Sequence, residues 1–256
     1  MRLPSLLFLP VVITASPHHG APKPPLRVAH SSLQDGSTDL VDALSRDGLV
    51  SITSIPNFAI LKRNALRSFS GCLRDQEGAT MRVTFADGTI RTSFALGADE
   101  EGFLPATTTP SCEAFASDLA PFRSAVDAVV AEFSRRLSEE TDSFLTKPLM
   151  TGSVDGDGTP VTWEDVAEVV AGGEVLDHFH SYQKFNVDAE ERTIEFHVDQ
   201  GLVLAFTPGL MMDSSAGGAS GVSEGFYVRD SAGSEYELMF DEEDDLVFML
   251  GDGANQ

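Results

Sequence analysis

In the stretch "TIEFHVDQG" (193–201) a histidine and an aspartate, His197 and Asp199, stand two positions apart in an apolar, β-branched run. Alternation along a strand sends residues i and i+2 to the same face. Glu195, His197 and Asp199 are therefore expected on one face, with Ile194, Phe196 and Val198 on the other. An imidazole nitrogen and a carboxylate oxygen projecting side by side supply two ligands of a 2-His-1-carboxylate facial triad, which leaves positions on Fe(II) open. By itself an H-x-D is a weak signal, because the same spacing also arises on the wet side of a structural strand.

A second group strengthens it. "HFHSY" places His178, His180 and Tyr182 on one face of an earlier strand, and His180 lies 17 positions before His197. These side chains admit a different chemistry as well. His178, His180 and His197 on adjacent strands make an H-x-H plus H set, which suits zinc with an open position for water. A third reading keeps all of them structural, in a secreted, non-catalytic β-rich binding module.

The elements that must position these groups follow from the hydrophobic pattern. "DLVDALSR" (39–46) has helical spacing, "GLVSITSI" (48–55) reads as a strand, and "ILKRNALRSFSGCLR" (60–74) reads as a helix. "MRVTFADGTIRTSFAL" (81–96) alternates on either side of Asp87-Gly88, as a hairpin does. The longest helix signal covers 112–144, with Phe122, Val126, Val129, Val130, Phe133 and Leu137 on one stripe and Pro121 expected in the first turn of its main section. "GSVDGDGTPV" (152–161) reads as a loop and "TWEDVAEVVAGG" (162–173) as a short helix, with Trp163 as a packing anchor. Strands are then expected at 175–185, 192–200, 202–208, 225–233, 235–240 and 245–252, around a Gly/Ser insertion at 211–225. Helices first and strands afterwards make an α+β chain with a sandwich or barrel at its C-terminal side.

Composition sets outer limits. Forty acidic residues against 17 basic ones give a formal charge of −23. Such a field opposes nucleic acid and anionic membrane surfaces, so a small-molecule substrate is the expected partner. "DEEDD" (241–245) reads as a solvated loop, and Met211-Met212 as loop packing. Met1-Arg2 followed by the apolar "LPSLLFLPVVITA" has the shape of a signal peptide over 1–15, too short for a membrane span. A secretory or extracellular location is expected from it; the alternative is a cytoplasmic protein with an apolar tail. Residues 16–35 read as a linker or extended arm. Cys72 and Cys112 either pair, closing a 40-residue loop, or remain two buried thiols.

The order of these motifs resembles the isopenicillin N synthase-like, 2-oxoglutarate- and Fe(II)-dependent oxygenases. In that family an N-x-Y precedes the H-x-D at about this distance, and a "GLQV-x-D-x-G" hairpin and "LVVNIGD" follow. This chain has "HSY" at 180–182, "HVDQG" at 197–201, "GFYVRDSAG" at 225–233 and "LVFMLGDG" at 246–253, and "ALSRDGLVSITSIPNF" is similar to the family's opening helix and strand. The resemblance spans roughly 35–256. It implies a helix-rich supporting region over 36–173, packed on a double-stranded β-helix (jelly-roll) core over 174–256. It further implies a dioxygenase in which His197 and Asp199 bind Fe(II), and Tyr182 and His180 lie near the 2-oxoglutarate pocket, with His180 where the family has asparagine. The family's second iron-binding histidine and its R-x-S follow the "GD", and in this sequence neither follows the "LGD" at 250–252. The expectation is therefore a C-terminally truncated, incomplete jelly roll and an impaired oxidoreductase.

Overall fold

The computed structural model describes residues 5–8, 20–75, 81–97, 109–141, 149–173, 176–183, 193–199, 201–212, 219–222, 225–230, 233–240 and 244–251. The chain opens with β1 (Ser5–Phe8), β2 (Gly20–Lys23) and β3 (Arg27–Ala29), followed by α1 (His30–Asp35), α2 (Leu40–Asp47) and β4 (Leu49–Thr53). Next come α3 (Phe58–Asp75), the hairpin β5 (Met81–Thr84) and β6 (Ile90–Gly97), and the 31-residue α4 (Pro110–Glu140). A second hairpin, β7 (Leu149–Val154) and β8 (Pro160–Trp163), precedes α5 (Val166–Gly172) and β9 (Leu176–Gln183). The remaining strands are β10 (Val203–Phe206), β11 (Leu210–Met212), β12 (Ala219–Val222), β13 (Phe226–Arg229), β14 (Glu235–Leu238) and β15 (Leu246–Leu250).

Two four-stranded sheets carry the architecture, in the orders β1-β9-β6-β5 and β10-β15-β4-β3, with a smaller sheet β13-β14-β2 beside them. Strands from both ends of the sequence share each large sheet, so the sheets cross the boundary expected at 173/174. The stretch expected as a linker contributes β2, β3 and α1. Within the stretch expected as a signal peptide, Ser5–Phe8 runs parallel to β9.

Helices α3 and α4 cover the back of the β9/β6 sheet. Phe69 contacts Phe94 of β6, and Phe69 and Phe115 both meet Phe179 of β9, with centroids 5.3–6.5 Å apart. Cys72 of α3 is disulfide-bonded to Cys112 of α4, which settles the cysteine question in favour of pairing. Farther along, α4 reaches the other large sheet, where Phe133 stacks on Phe248 of β15 at 3.9 Å. β4 is buried on both faces: Val50 and Ile52 belong to this helix-side core, while Leu49 faces a second core with Leu204, Phe206, Tyr236 and Leu238. A strand covered on both sides reads as a continuous apolar run, as "LVSI" does.

Several expectations change. Thr109 caps α4 through its hydroxyl and Pro110 takes the first turn, so the helix begins earlier and runs through Pro121. A proline inside a helix costs about 3 kcal/mol; Leu119 and Phe122 on either side of it are buried in the core. The expected loop at 152–161 is the β7–β8 hairpin, turned at Asp155–Thr159, where Gly158 has φ +87°. Trp163 ends β8 instead of starting a helix and packs against Gly172 of α5. The acidic stretch 241–245 is not simply solvated. Asp245 is fully buried and accepts from Ser51 Oγ at 2.5 Å and from Arg27 at 3.1 Å, and Asp244 accepts from Ser54 N. Burial pushes the Asp245 carboxyl above its ordinary value, against the pull of the Ser51 hydrogen bond and Arg27.

Candidate functional site

β9 carries the first part of the site, and its period of two is fully expressed. Asp177 and Phe179 point to the helices, where Arg123 of α4 pairs with Asp177 (Nε–Oδ2 2.6 Å) and Phe179 is buried. His178, His180 and Tyr182 point the other way, into a cavity of about 930 Å³. The opposite walls come from residues 193–199, from β13 and from Met249 and Leu250 of β15. His197 and Asp199 line the same cavity, so it unites the "HSY" and "HVD" motifs.

The H-x-D does not sit on a strand. Residues 193–199 open on a bend and pair with no neighbour among the described residues, and Val198 is 66% exposed, with His197 exposed beside it. The strand expected over 192–200 is not formed at 193–199, which enters no ladder among the described residues; its neighbour β13 meets it through side chains, Arg229 lying over the Phe196 ring. Other contacts fix the segment. Thr193 donates its hydroxyl to Asp87 Oδ2 at 2.7 Å, in the turn between β5 and β6, where Asp87 also accepts from Thr89 N and Oγ1. At the far end Gly251 packs on the backbone of Asp199 and Gly201. A Cβ there would lie 2.5 Å from the Gly201 carbonyl oxygen and 3.0 Å from that of Asp199.

His197 Nε2 lies 3.5 Å from Asp199 Oδ1, and Nδ1 lies 2.9 Å from the Glu195 carbonyl oxygen. A carbonyl can only accept, so the contact assigns Nδ1 as the protonated nitrogen and leaves the Nε2 lone pair beside the aspartate. This is how a second group orients a metal-binding imidazole. The donor set, one imidazole nitrogen and one carboxylate oxygen, suits Fe(II). Among the described residues no third His, Cys, Asp or Glu converges with them. His180 Nδ1 is engaged by Ser93 Oγ at 2.7 Å.

The β9 wall is electrostatically distinctive. Burial holds the His180 pKa down at about 3, helped by the charge of Arg91 and by His178. His178 is lowered by the same burial and by Arg91, with Asp199 opposing. Burial raises Tyr182 against the pull of Arg91. Arg91, on β6, is the register partner of Tyr182 and lines the cavity. It escaped the sequence reading because it lies in a hairpin far upstream of the H-x-D, outside the family order; its pairing with β9 reveals it.

No protein-family model and no curated protein sequence matches the chain. Solved structures do. The chain is similar to AtDAO1, the dioxygenase for auxin oxidation 1 from Arabidopsis thaliana, solved with 2-oxoglutarate, at 12% identity and a TM-score of 0.55, covering 90% of this chain and 80% of that one. A C-terminally truncated protein of Neurospora crassa, whose full-length form was solved with alpha-KG and thymine, gives 15% identity and a TM-score of 0.53 over 89% and 83%. A 2OG-Fe(II) oxygenase family protein from Caulobacter crescentus gives 14% and 0.53 over 88% and 73%. At such identities the likeness establishes the fold: this is an α+β chain with the jelly-roll architecture of the 2-oxoglutarate–Fe(II) oxygenases.

Proposed function

We propose that the protein is a non-haem Fe(II)-, 2-oxoglutarate-dependent oxygenase-like oxidoreductase that acts on a small molecule. The observation that carries this reading is the 3.5 Å approach of His197 Nε2 to Asp199 Oδ1 on the cavity that also receives His180 and Tyr182. His197 and Asp199 are the metal ligands, and Tyr182 and His180 are pocket residues for the oxoacid. Iron held there would supply dioxygen activation. The chain's own part is positional. Glu195 fixes the His197 tautomer, Thr193 and Gly251 set the ends of the ligand segment, and the apolar wall of Phe226, Met249 and Leu250 excludes water. The Cys72–Cys112 bond supports passage through an oxidising, secretory compartment.

Anaerobic titration with Fe(II) of the wild type, His197→Ala and Asp199→Ala tests the ligands. Tighter binding by the wild type than by either variant is expected, and equal binding by all three removes the metal assignment. Failure of the metal-loaded wild type to form succinate from 2-oxoglutarate under air would leave a binding module in its place.

A further inference from the structure

We propose that Arg229 is a positioning residue for the H-x-D segment: held by Glu235 and seated over Phe196, it fixes from β13 the stretch that carries both His197 and Asp199. Its consequence for metal binding rests on reading those two residues as ligands; the tether itself does not. Residues 193–199 enter no ladder among the described residues, so no backbone pairing there sets where the two side chains point. Thr193 is tied at one end by Asp87, and Gly251 packs beside Asp199 at the other. Phe196, halfway between them and next to His197 in the chain, is the point left to hold.

β13 can hold it because β13 is itself anchored. Phe226 stacks on Phe206 of the second core at 5.0 Å and meets Phe240 at 6.1 Å. Its register with β14 runs from Phe226–Leu238 to Arg229–Glu235. Just beyond, the turn closes through Asp230 N to Ser234 O at 3.0 Å and Ser234 N to Asp230 Oδ1 at 2.8 Å. Arg229 Nε and Nη2 both donate to Glu235 Oε1, at 3.2 and 2.5 Å. The guanidinium carbon then lies 4.5 Å from the Phe196 ring centroid, inside the roughly 6 Å over which a cation is drawn to an aromatic face. The Arg229 side chain is 50% exposed, so its ion pair alone contributes little. The effect of that pair is directional: it keeps the cation over the ring.

Electrostatics alone would give Arg229 the opposite role. It lines the same cavity as His197 and Asp199, and a cation on that wall repels a divalent metal. Removing its charge would then tighten metal binding, whereas removing a tether weakens it. The sign of one measurement separates the two.

Full-length protein is titrated anaerobically with Fe(II), and Co(II) in its place reports the ligand geometry through its visible absorption bands. Arg229→Gln is expected to weaken Fe(II) binding about two- to fivefold, the factor an exposed cation–π contact supplies, and to alter the Co(II) bands. Arg229→Lys keeps the charge but loses the fork, and falls between the wild type and Arg229→Gln. Phe196→Leu reproduces the loss, and the double variant adds nothing further, as expected of two residues in one contact. Arg82→Gln, which removes a charge from the exposed β5, leaves affinity and bands unchanged. Hydrogen exchange of the metal-free protein runs alongside: Arg229→Gln raises amide exchange over 193–199 and leaves α3 and α4 as they are. If the wild type binds no Fe(II), the metal reading fails and the exchange data alone decide the tether. Unchanged exchange over 193–199, or Fe(II) binding by Arg229→Gln at least as tight as by the wild type, overturns the proposal.

Discussion

The Thr193 hydroxyl donates to the Asp87 carboxylate at 2.7 Å, joining positions 106 residues apart and tying the start of the H-x-D segment to the tip of the β5–β6 hairpin. Both residues are buried, and Asp87 also accepts from Thr89 N at 3.0 Å and Thr89 Oγ1 at 2.8 Å. Removing the carboxylate strands these donors, so Asp87→Ala should cost about 1–3 kcal/mol in urea unfolding. Thr193→Val should cost less, and should raise amide exchange over 193–199 more than in the rest of the chain. Uniform exchange in that variant would remove Thr193 from its tethering role.

Gly251→Ala tests the opposite end of the segment. The added methyl meets backbone on all three nearest atoms, so the neighbouring chain must move. A destabilisation of about 1–3 kcal/mol is expected, with Fe(II) affinity falling because Asp199 is displaced. Unchanged affinity in a destabilised protein would separate the packing of Gly251 from the position of the ligand.

The disulfide holds together the two helices that back β9 and β6. For a separation of 40 residues, loss of the bond in Cys72→Ala/Cys112→Ala should lower stability by up to about 3–4 kcal/mol. Denaturant melts of the variant and of oxidised wild type give the difference directly.

Acid should act through His180. Its folded pKa, about 3, lies below the ordinary histidine value of 6.5, so below pH 6.5 the unfolded chain binds the proton first. The contribution of neutral His180 is thus intact above pH 6.5 and is lost as pH falls toward 3. Asp177, raised to about 6 by burial despite Arg123, has the opposite sign: its contribution is complete below pH 3.8 and declines as pH rises through 6. Melting curves from pH 7 to 4 should therefore fall less steeply for His180→Gln than for the wild type. Parallel curves would show that His180 is not among the groups behind acid lability.

Removing Arg123 leaves the Asp177 carboxylate buried without its cation. Arg123→Met should cost about 3–5 kcal/mol near neutral pH, and Asp177→Asn in the same background should recover part of it. A double-mutant cycle in urea measures the coupling.

What was legible in the sequence follows where tertiary context agreed with local pattern. β9 alternates cleanly because α3 and α4 bury one face and a cavity takes the other, so the grouping of His178, His180 and Tyr182 could be read from spacing. The same alternation misled at 193–199, which enters no ladder among the described residues and meets β13 through side chains alone. Asp245 shows another limit: within a run of like charges, only the position of Ser51 and Arg27 makes one carboxylate internal. The Asp155–Thr159 turn was hidden by its glycines, which signal a turn without revealing whether strands flank it. Asp252 of the "LGD" motif lies outside the described residues.

The cavity draws on Arg91 and Ser93, on 178–182, on 193–199, on 225–230 and on Met249 and Leu250, and Gly251 presses on the backbone beside Asp199. No piece of it is local. The β6/β9 pairing sets Arg91 opposite Tyr182, and closure of the cavity also requires β15 between β10 and β4. Contacts of such long sequence separation form slowly. Folding rate and binding competence should therefore rise on the same time course, making ligand capture a kinetic marker of the final strand's arrival.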